Sequence, residues 1–414
     1  MREQKEMESK YEKVDGGVCA AAGFTANGLN CGLNSDTAKN DLALVYTERP
    51  AQVAAVYTRN KVKAAPLLVT RANLASSGHT ARAVIANSKN ANACNADGEQ
   101  KALQECRLVA DVLGVRPEEV IVASTGVIGQ PLPMEPIASH VKELAEGLCA
   151  ENHDKAVNAI MTTDTVPKES AVSFVLGGRF CALGGMSKGS GMIHPNMATT
   201  LTFITTDADI PQQMLQQALS EVVKVTYNCL SIDGDTSTND MLVVLANGCA
   251  GNPELTPEDY EVFKGALCVV MTDLVRMLAK DGEGATKLLE CACVGAPDQE
   301  TAIVVAKSVI RSPLFKCAMF GEDANWGRIL CAIGYAEADF DIGKVDVDLA
   351  SAKGRIAVCR DGSGVEFSEE EAKVVLSEDE IRIDIDLHQG DAAGMAWGCD
   401  LTYDYVRING DYRS

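Results

Sequence analysis

The run Lys188-Gly189-Ser190-Gly191-Met192-Ile193-His194-Pro195-Asn196-Met197-Ala198-Thr199-Thr200 puts a hydroxyl residue directly after a small one. It does so at the end of a Gly-rich, Pro-containing loop, where an apolar strand begins. A threonine hydroxyl is a weak nucleophile and needs a base. The chain has five histidines, His79, His140, His153, His194 and His388, and none sits in a recognisable Ser-His-Asp signature such as Gly-x-Ser-x-Gly. The base could instead come from the nucleophile's own residue. If the Ala198–Thr199 bond is cut, the freed α-amine lies beside the hydroxyl, and its ordinary pKa of roughly 7.7–8.0 lets it accept a proton near neutrality. The residues alone leave a second reading open, a Thr-rich strand that merely follows a Gly/Pro loop.

Other chemistries find less support. Lys188-Gly189-Ser190-Gly191 lacks Walker A spacing, and no Gly-x-Gly-x-x-Gly opens a helix after a strand, so no nucleotide cofactor is expected. The 15 cysteines are dispersed, with no Cys-x-x-Cys; Cys291 and Cys293 are the closest pair. They read as reduced, buried, inert thiols of a cytoplasmic protein, and the ligand spacing of a zinc site is missing. A formal charge of −21 argues against a nucleic-acid partner. No stretch approaches the roughly 20 uninterrupted apolar residues of a membrane span. Met1 to Asp15 is densely charged without a signal-peptide apolar run and reads as a mobile arm.

The elements that must position this chemistry alternate between strand and helix signals, an α/β pattern. Strands are expected at Asp41 to Tyr46, Gln52 to Tyr57, Ala83 to Ala86 and Glu119 to Ser124. The last stops at Thr125-Gly126. The four Asn residues from Asn87 to Asn95 suit turns and left-handed backbone. Gln100 to Leu113 reads as a helix with Leu103, Cys106, Ala110 and Leu113 on its buried stripe and Gly114 past its end. Gly177-Gly178 between Ala171–Leu176 and Arg179–Leu183 signals a hairpin. Thr199 to Thr205 alternates as a strand, with Leu201 and Phe203 on one side and Thr200 and Thr202 on the other. Asp209 is expected to cap a helix from about Pro211 to Tyr227, and Thr256-Pro257 to start one ending near Lys280. Further strands are expected at Lys287 to Val294, Val345 to Leu349, Arg355 to Val358 and Glu380 to Leu387, several of them antiparallel and half exposed.

Lys188 to Thr200, continuing into Leu201-Thr202-Phe203, resembles the self-cleavage segment of the ornithine acetyltransferase family, the glutamate N-acetyltransferases of arginine biosynthesis. The likeness continues at Ala55–Asn60, Asn87–Gly98, Ala123–Gly129, Met161–Thr165, Ser231–Asp240, Asp281–Lys287, Glu322–Arg328 and Tyr403–Ser414, in order across nearly the whole chain. The resemblance implies a self-processing Thr-nucleophile enzyme of the α/β class, with mixed sheets packed against helices. It implies cleavage between Ala198 and Thr199, giving an α chain of residues 1–198 and a β chain of residues 199–414. Thr199 then takes the acetyl group of N-acetylornithine and passes it to glutamate in a ping-pong route. Acetyl-CoA serves as a further donor in the bifunctional branch. The family also implies two associated αβ pairs.

The family's site residues carry over one by one. Thr125 and Gly126 end a strand in a turn, where a hydroxyl and an N–H can point outward together, and they match the oxyanion-hole pair. Lys188 matches a substrate contact, a cation that can pair a carboxylate or bias nearby proton transfers. Glu283, between Gly282 and Gly284, matches a substrate contact whose carboxylate suits the side-chain ammonium of ornithine. Thr162 matches a substrate threonine, with Thr163 as its rival. Asn409 and Ser414 match two C-terminal contacts. Thr200-Leu201 stands where the family often has Met-Leu, which raises a register question between Thr199 and Thr200. Two other readings compete: a self-cleaved Thr amidase or aminopeptidase with water as acceptor, and an uncleaved, non-catalytic binding paralogue.

Overall fold

The computed structural model describes residues 10–194 and 200–411. The strands, in chain order, are β1 (Glu12–Lys13), β2 (Phe24–Leu29), β3 (Leu42–Tyr57), β4 (Thr80–Asn87), β5 (Val120–Ser124), β6 (Lys168–Leu176), β7 (Arg179–Lys188) and β8 (Leu201–Thr206). They continue with β9 (Leu230–Ser231), β10 (Met241–Ala246), β11 (Leu288–Ala296), β12 (Asp346–Ser351), β13 (Gly354–Arg360), β14 (Ser363–Gly364), β15 (Glu380–Asp386) and β16 (Ala392–Cys399). The helices are α1 (Ala65–Ser76), α2 (Gly98–Leu113), α3 (Met134–Glu146), α4 (His153–Ile160), α5 (Gln212–Val225), α6 (Pro257–Lys280), α7 (Gln299–Arg311), α8 (Pro313–Phe320), α9 (Trp326–Gly334), α10 (Glu369–Leu376) and α11 (Tyr403–Asp411).

Two mixed sheets result. The first runs β1-β6-β7-β8-β10-β3-β4-β5, with β2 also on β3; the second runs β14-β13-β12-β15-β11-β16-β9. The expected α/β class with mixed sheets is what the chain forms. The long helix α6 lies between the sheets, and its Phe263, Leu267, Val270 and Leu274 join one core with Phe174 and Leu183 of the first sheet and Leu289 and Cys291 of the second. Its start is set by Thr256, whose hydroxyl accepts from Asp259 N–H while the Asp259 carboxylate accepts from Thr256 N–H, with Pro257 at the first position.

The order of the first sheet decides how the site is held. β8 and β10 run parallel, Leu201 opposite Met241, between β7 on one side and β3 on the other. Both faces of β8 are covered, so its threonines are buried and must find partners. Thr202 bonds the Ser187 hydroxyl at 2.7 Å and the Tyr227 hydroxyl at 3.1 Å; Thr205 donates to the Val18 carbonyl at 2.7 Å.

Several expectations change. The two strands read at Asp41–Tyr46 and Gln52–Tyr57 are one strand, β3, because β4 follows it through a register shift between Tyr46 and Ala51. Pro50, with no N–H to give, sits at that irregularity. The buried stripe of α2 is Ala102, Glu105, Cys106, Val109 and Ala110; Leu103 and Leu113 are only half buried. Asp209 does not cap α5; its N–H donates to Asn252 Oδ1 at 2.7 Å, and the helix starts after Pro211 without a side-chain cap. Within the charged N-terminal stretch, residues 11–13 are docked rather than mobile. Tyr11 is buried with its hydroxyl on the Val262 carbonyl, and Glu12–Lys13 pairs with β6. All 15 cysteines are free, but Cys94, Cys317 and Cys331 are exposed. The hairpin holds: Gly177 (φ 52°) and Gly178 (φ 79°) turn β6 into β7.

Candidate active site

One pocket gathers Thr125, Gly126, Thr162, Thr163, Lys188, Gly191, Glu283 and Asn409, with Ser237–Asn239 along its wall. Its floor is the end of β5. Thr125 N–H donates to the Asn87 carbonyl at 2.9 Å and Val127 N–H to the Lys89 carbonyl at 3.1 Å. Between them, Gly126 has φ 130°, and a Cβ there would lie 2.3 Å from the Lys89 carbonyl carbon, so only glycine fits. Gly126 N–H has no acceptor among the described residues. The loop that meets this turn uses left-handed backbone at Lys89, Asn92 and Cys94. Asn239 ties it down, its Nδ2 donating to the carbonyls of Ala91 and Ser124 at 2.6 and 2.8 Å.

Lys188 closes β7, with only 9% of its surface exposed, and its Nζ donates to the Thr125 hydroxyl at 3.4 Å. Burial lowers its pKa, opposed by Asp164, Asp240 and Glu283 and aided by Lys168. Asp164 organises this cluster. Its Oδ1 accepts from Gly189 N–H at 2.6 Å and from Lys168 Nζ at 2.7 Å, and its Oδ2 from Thr162 N–H at 3.0 Å. Burial alone would raise its pKa; the cations of Lys188 and Lys168 more than offset that and hold it at about 2. Lys168 is fully buried and also pairs with Asp281 at 2.6 Å. Both Thr162 and Thr163 reach the pocket. The Thr163 hydroxyl is bonded to that of Ser190 at 2.7 Å, whereas the Thr162 hydroxyl has no protein partner among the described residues.

Glu283 forms the opposite wall. Its N–H donates to the Ser190 carbonyl at 2.8 Å, and a Cβ on Gly191 would fall 2.4 Å from its carboxyl carbon, so the glycine loop and the carboxylate touch. Helix α11 brings Asn409, whose Nδ2 donates to Glu283 Oε2 at 2.7 Å. Ala198, Thr199 and Ser414 lie outside the described residues. Thr200 is described and does not line the pocket. Its hydroxyl is bonded to that of Thr202 at 2.8 Å, and its N–H donates to Asp240 Oδ1 at 3.0 Å.

Such an arrangement suits acyl transfer to and from an amino acid. A hydroxyl and an N–H at Thr125-Gly126 can hold an oxyanion, Lys188 can take a carboxylate, and Glu283 can take an ammonium. No histidine lines the pocket. His194 bonds the Ser231 hydroxyl at 3.0 Å instead, and burial, with Lys307 and Arg311 nearby, lowers its pKa to about 4. Sequence reasoning missed Asp164, Asp240 and Asn239. Asp164 and Asp240 fall inside the family-like runs Met161–Thr165 and Ser231–Asp240, which was the only signal available.

A model of the ArgJ family matches residues 25–414. The arginine biosynthesis bifunctional protein ArgJ 1 of Clostridium acetobutylicum is 48% identical over 394 residues, 94% of this chain and 96% of that one. Its counterpart in Bacillus licheniformis is 46% identical over 98% of this chain and 99% of its own. Among solved structures, that of the Bacillus halodurans arginine biosynthesis bifunctional protein is 47% identical with a TM-score of 0.48, covering 50% of this chain and 97% of that chain. The ornithine acetyltransferase of Mycobacterium tuberculosis complexed with ornithine is 38% identical with a TM-score of 0.42, covering 45% of this chain and all of that one.

Proposed function

This chain belongs to the ArgJ family, and from that membership we propose that it moves an acetyl group from N-acetylornithine to glutamate through an ester on Thr199. It is an acyltransferase of arginine biosynthesis, acting as glutamate N-acetyltransferase and, with acetyl-CoA as donor, as amino-acid N-acetyltransferase. The observation that carries the residue-level reading is the convergence of Thr125, Gly126, Lys188 and Glu283 on one pocket beside the start of β8.

The chain first cuts itself between Ala198 and Thr199. Thr199 Oγ then attacks the acetyl carbonyl while its proton passes to the Thr199 α-amine. The Thr125 hydroxyl and Gly126 N–H hold the oxyanion. As the C–N bond breaks, the leaving ornithine amine takes the proton back. Glutamate enters, its amine attacks the ester, and N-acetylglutamate leaves with Thr199 restored. Lys188 steadies a substrate carboxylate. Glu283, with Asn409 and Ser414, holds the amino-acid end, and Thr162 offers its free hydroxyl. That amino-acid wall favours glutamate over water as acceptor, against an amidase. Engagement of the Thr200 hydroxyl inside the sheet favours Thr199 over Thr200 as nucleophile.

The two products, residues 1–198 and 199–414, stay together because β8 and β10 of the second are wedged between β7 and β3 of the first. We place two such αβ pairs in one assembly and the enzyme in the cytoplasm; no helix among the described residues is long and apolar enough to cross a membrane. Intact-mass measurement after mixing with N-acetylornithine tests the reading. The expected result is two chains, Met1–Ala198 and Thr199–Ser414, with one acetyl group added to the second, and a single uncut band for Thr199→Ala. A wild-type chain that stays whole, or a second chain starting at Thr200, overturns it.

A further inference from the structure

We infer that the cleft continuing from the catalytic pocket at Thr162, with Lys39, Lys89 and Lys155 along it, receives the phosphate groups of acetyl-CoA. The inference deepens the reading of acetyl-CoA as a donor and rests on it.

The catalytic pocket has a volume of about 130 Å³, too small for a nucleotide-bearing thioester. Beside it lies a cleft of about 680 Å³, within the roughly 300–1,000 Å³ of small-molecule sites. Thr162 lines both, so the two meet at that residue. Lys89 also touches both sides. Its side chain lines the cleft, while its carbonyl takes Val127 N–H at 3.1 Å, directly behind the Thr125-Gly126 turn. The loop ahead of β3 forms a further wall, and it is built rather than loose. Asn30 Nδ2 donates to the carbonyls of Asn34, Asp36 and Lys39 at 3.1, 3.1 and 2.7 Å. The Asp41 carboxylate takes the N–H groups of Cys31 and Asn34 at 2.7 and 2.6 Å. Asn40 Nδ2 reaches the Lys155 carbonyl at 3.3 Å and ties this loop to α4. Lys39 and Lys155 are thereby fixed to a preformed wall.

The charges of the cleft do not cancel. Asp164, at its inner end, is removed from water and engaged by Lys168 and Gly189 N–H. Asp36 and Asp154 each give one oxygen to a backbone N–H, that of Ala38 at 3.1 Å and that of Lys155 at 2.7 Å. Lys39, Lys89 and Lys155 are exposed, and their ammoniums make no hydrogen bond or ion pair among the described residues. Three unpaired ammoniums against two open carboxylates, in a chain of formal charge −21, leave this cleft ready for an anion. Lysine binds phosphate as a point charge. Of the reactants, acetyl-CoA alone carries phosphates; Lys188 and Glu283 already serve the carboxylate and ammonium of the amino acids. The pantetheine arm lets the phosphates stay in the open cleft while the thioester enters the pocket at Thr162. There a C–O bond forms between the nucleophile and the acetyl carbon, the C–S bond breaks, and the hydroxyl proton leaves on sulfur, so CoA departs as its thiol.

The experiment gives the full-length, processed protein glutamate as acceptor and one of three donors: acetyl-CoA, S-acetylpantetheine, which has the thioester but no phosphate, or N-acetylornithine. Wild type should show a lower KM for acetyl-CoA than for S-acetylpantetheine. The double variant Lys39→Glu, Lys155→Glu should raise the KM for acetyl-CoA on the order of 10-fold and leave that of the other two donors within about twofold. An unmoved KM for acetyl-CoA, or an equal rise for S-acetylpantetheine, overturns the inference. Should the variant fail to fold, adenosine 3′,5′-bisphosphate added to wild type decides. Raising the KM for acetyl-CoA but not for N-acetylornithine supports the site; no effect, or an equal effect on both, overturns it. Inorganic phosphate that slows all three donors alike marks a site for a free anion and also overturns it. Turnover of acetyl-CoA with an unmoved KM in the variant removes the inference alone. A wild type that uses N-acetylornithine but not acetyl-CoA removes the donor and the inference together.

Discussion

The chain places acidic and basic side chains together in two regions, with opposite consequences. Around the pocket, Asp164, Lys168, Asp281 and Lys188 are nearly or wholly removed from water. On the second sheet, β12, β13 and β15 carry Asp346, Asp348, Asp384, Arg355, Arg360 and Arg382 as an outward ladder, with Arg355 55% exposed. Both regions are dense in short ion pairs. In the buried one both Asp164 oxygens and one Asp281 oxygen also take backbone N–H groups, so the carboxylates fix loop positions, and the two lysines hold Asp164 ionised. In the ladder, water screens each pair, and its contribution is about 0–1 kcal/mol. The residue types are alike; the surrounding medium makes one cluster a device and the other a solvated face.

The sharpest break in this comparison is Asp164→Ala, which leaves Lys168 and Lys188 buried with one partner fewer. A loss of about 3–5 kcal/mol in chemical denaturation is expected, together with loss of acetyl transfer as Gly189 and Thr162 are released. Next, Thr125→Ala should lower kcat on the order of 10²–10³-fold while the protein still folds, read by steady-state kinetics. Glu283→Gln follows. Loss of its charge should weaken binding of the amino-acid end by about 1.5–3 kcal/mol, seen as a rise in KM.

The same contrast is legible in pH. Asp164 has its pKa depressed to about 2 in the folded protein. Its stabilisation is therefore present above its ordinary value near 4 and lost as pH falls from there towards 2. Asp164→Asn should flatten that acid step relative to wild type in denaturation series. His388 on the ladder, raised first by its hydrogen bond to Asp346, works in the other direction. Its contribution is present below its unfolded value and fades as pH rises through the raised one. Smallest of all, Arg355→Ala should change stability by no more than about 1 kcal/mol, and that difference should shrink in high salt. A larger loss there would erase the distinction between the two regions.

Much of the molecule could be read in one dimension. The Thr256 cap, the Gly177-Gly178 turn and the alternation of Ile381, Ile383 and Ile385 are local signals, and local signals survive folding because the interactions behind them span a few residues. Thr125, Gly126, Lys188, Glu283 and Asn409 came from motif matching, and they meet in one pocket. Helix registers were less legible. The Leu103 and Leu113 stripe was displaced because Glu105 is buried, which no hydropathy pattern anticipates.

By itself, then, the sequence determined the alternation of elements, the loop in which a cut is feasible and the residue types that could serve it. Tertiary structure decided which of those residues are dry. Asp164 and Asp240 look like any other acidic loop residues along the chain, and Asp346 and Asp384 no different. Burial is contributed jointly by segments far apart in the chain, here Met161–Thr165 with Gly189 and Asp281, and Asp240 with Thr200 and Thr58. No local pattern encodes that sum, and it is the sum that sets the strength of a charge and the acidity of a group.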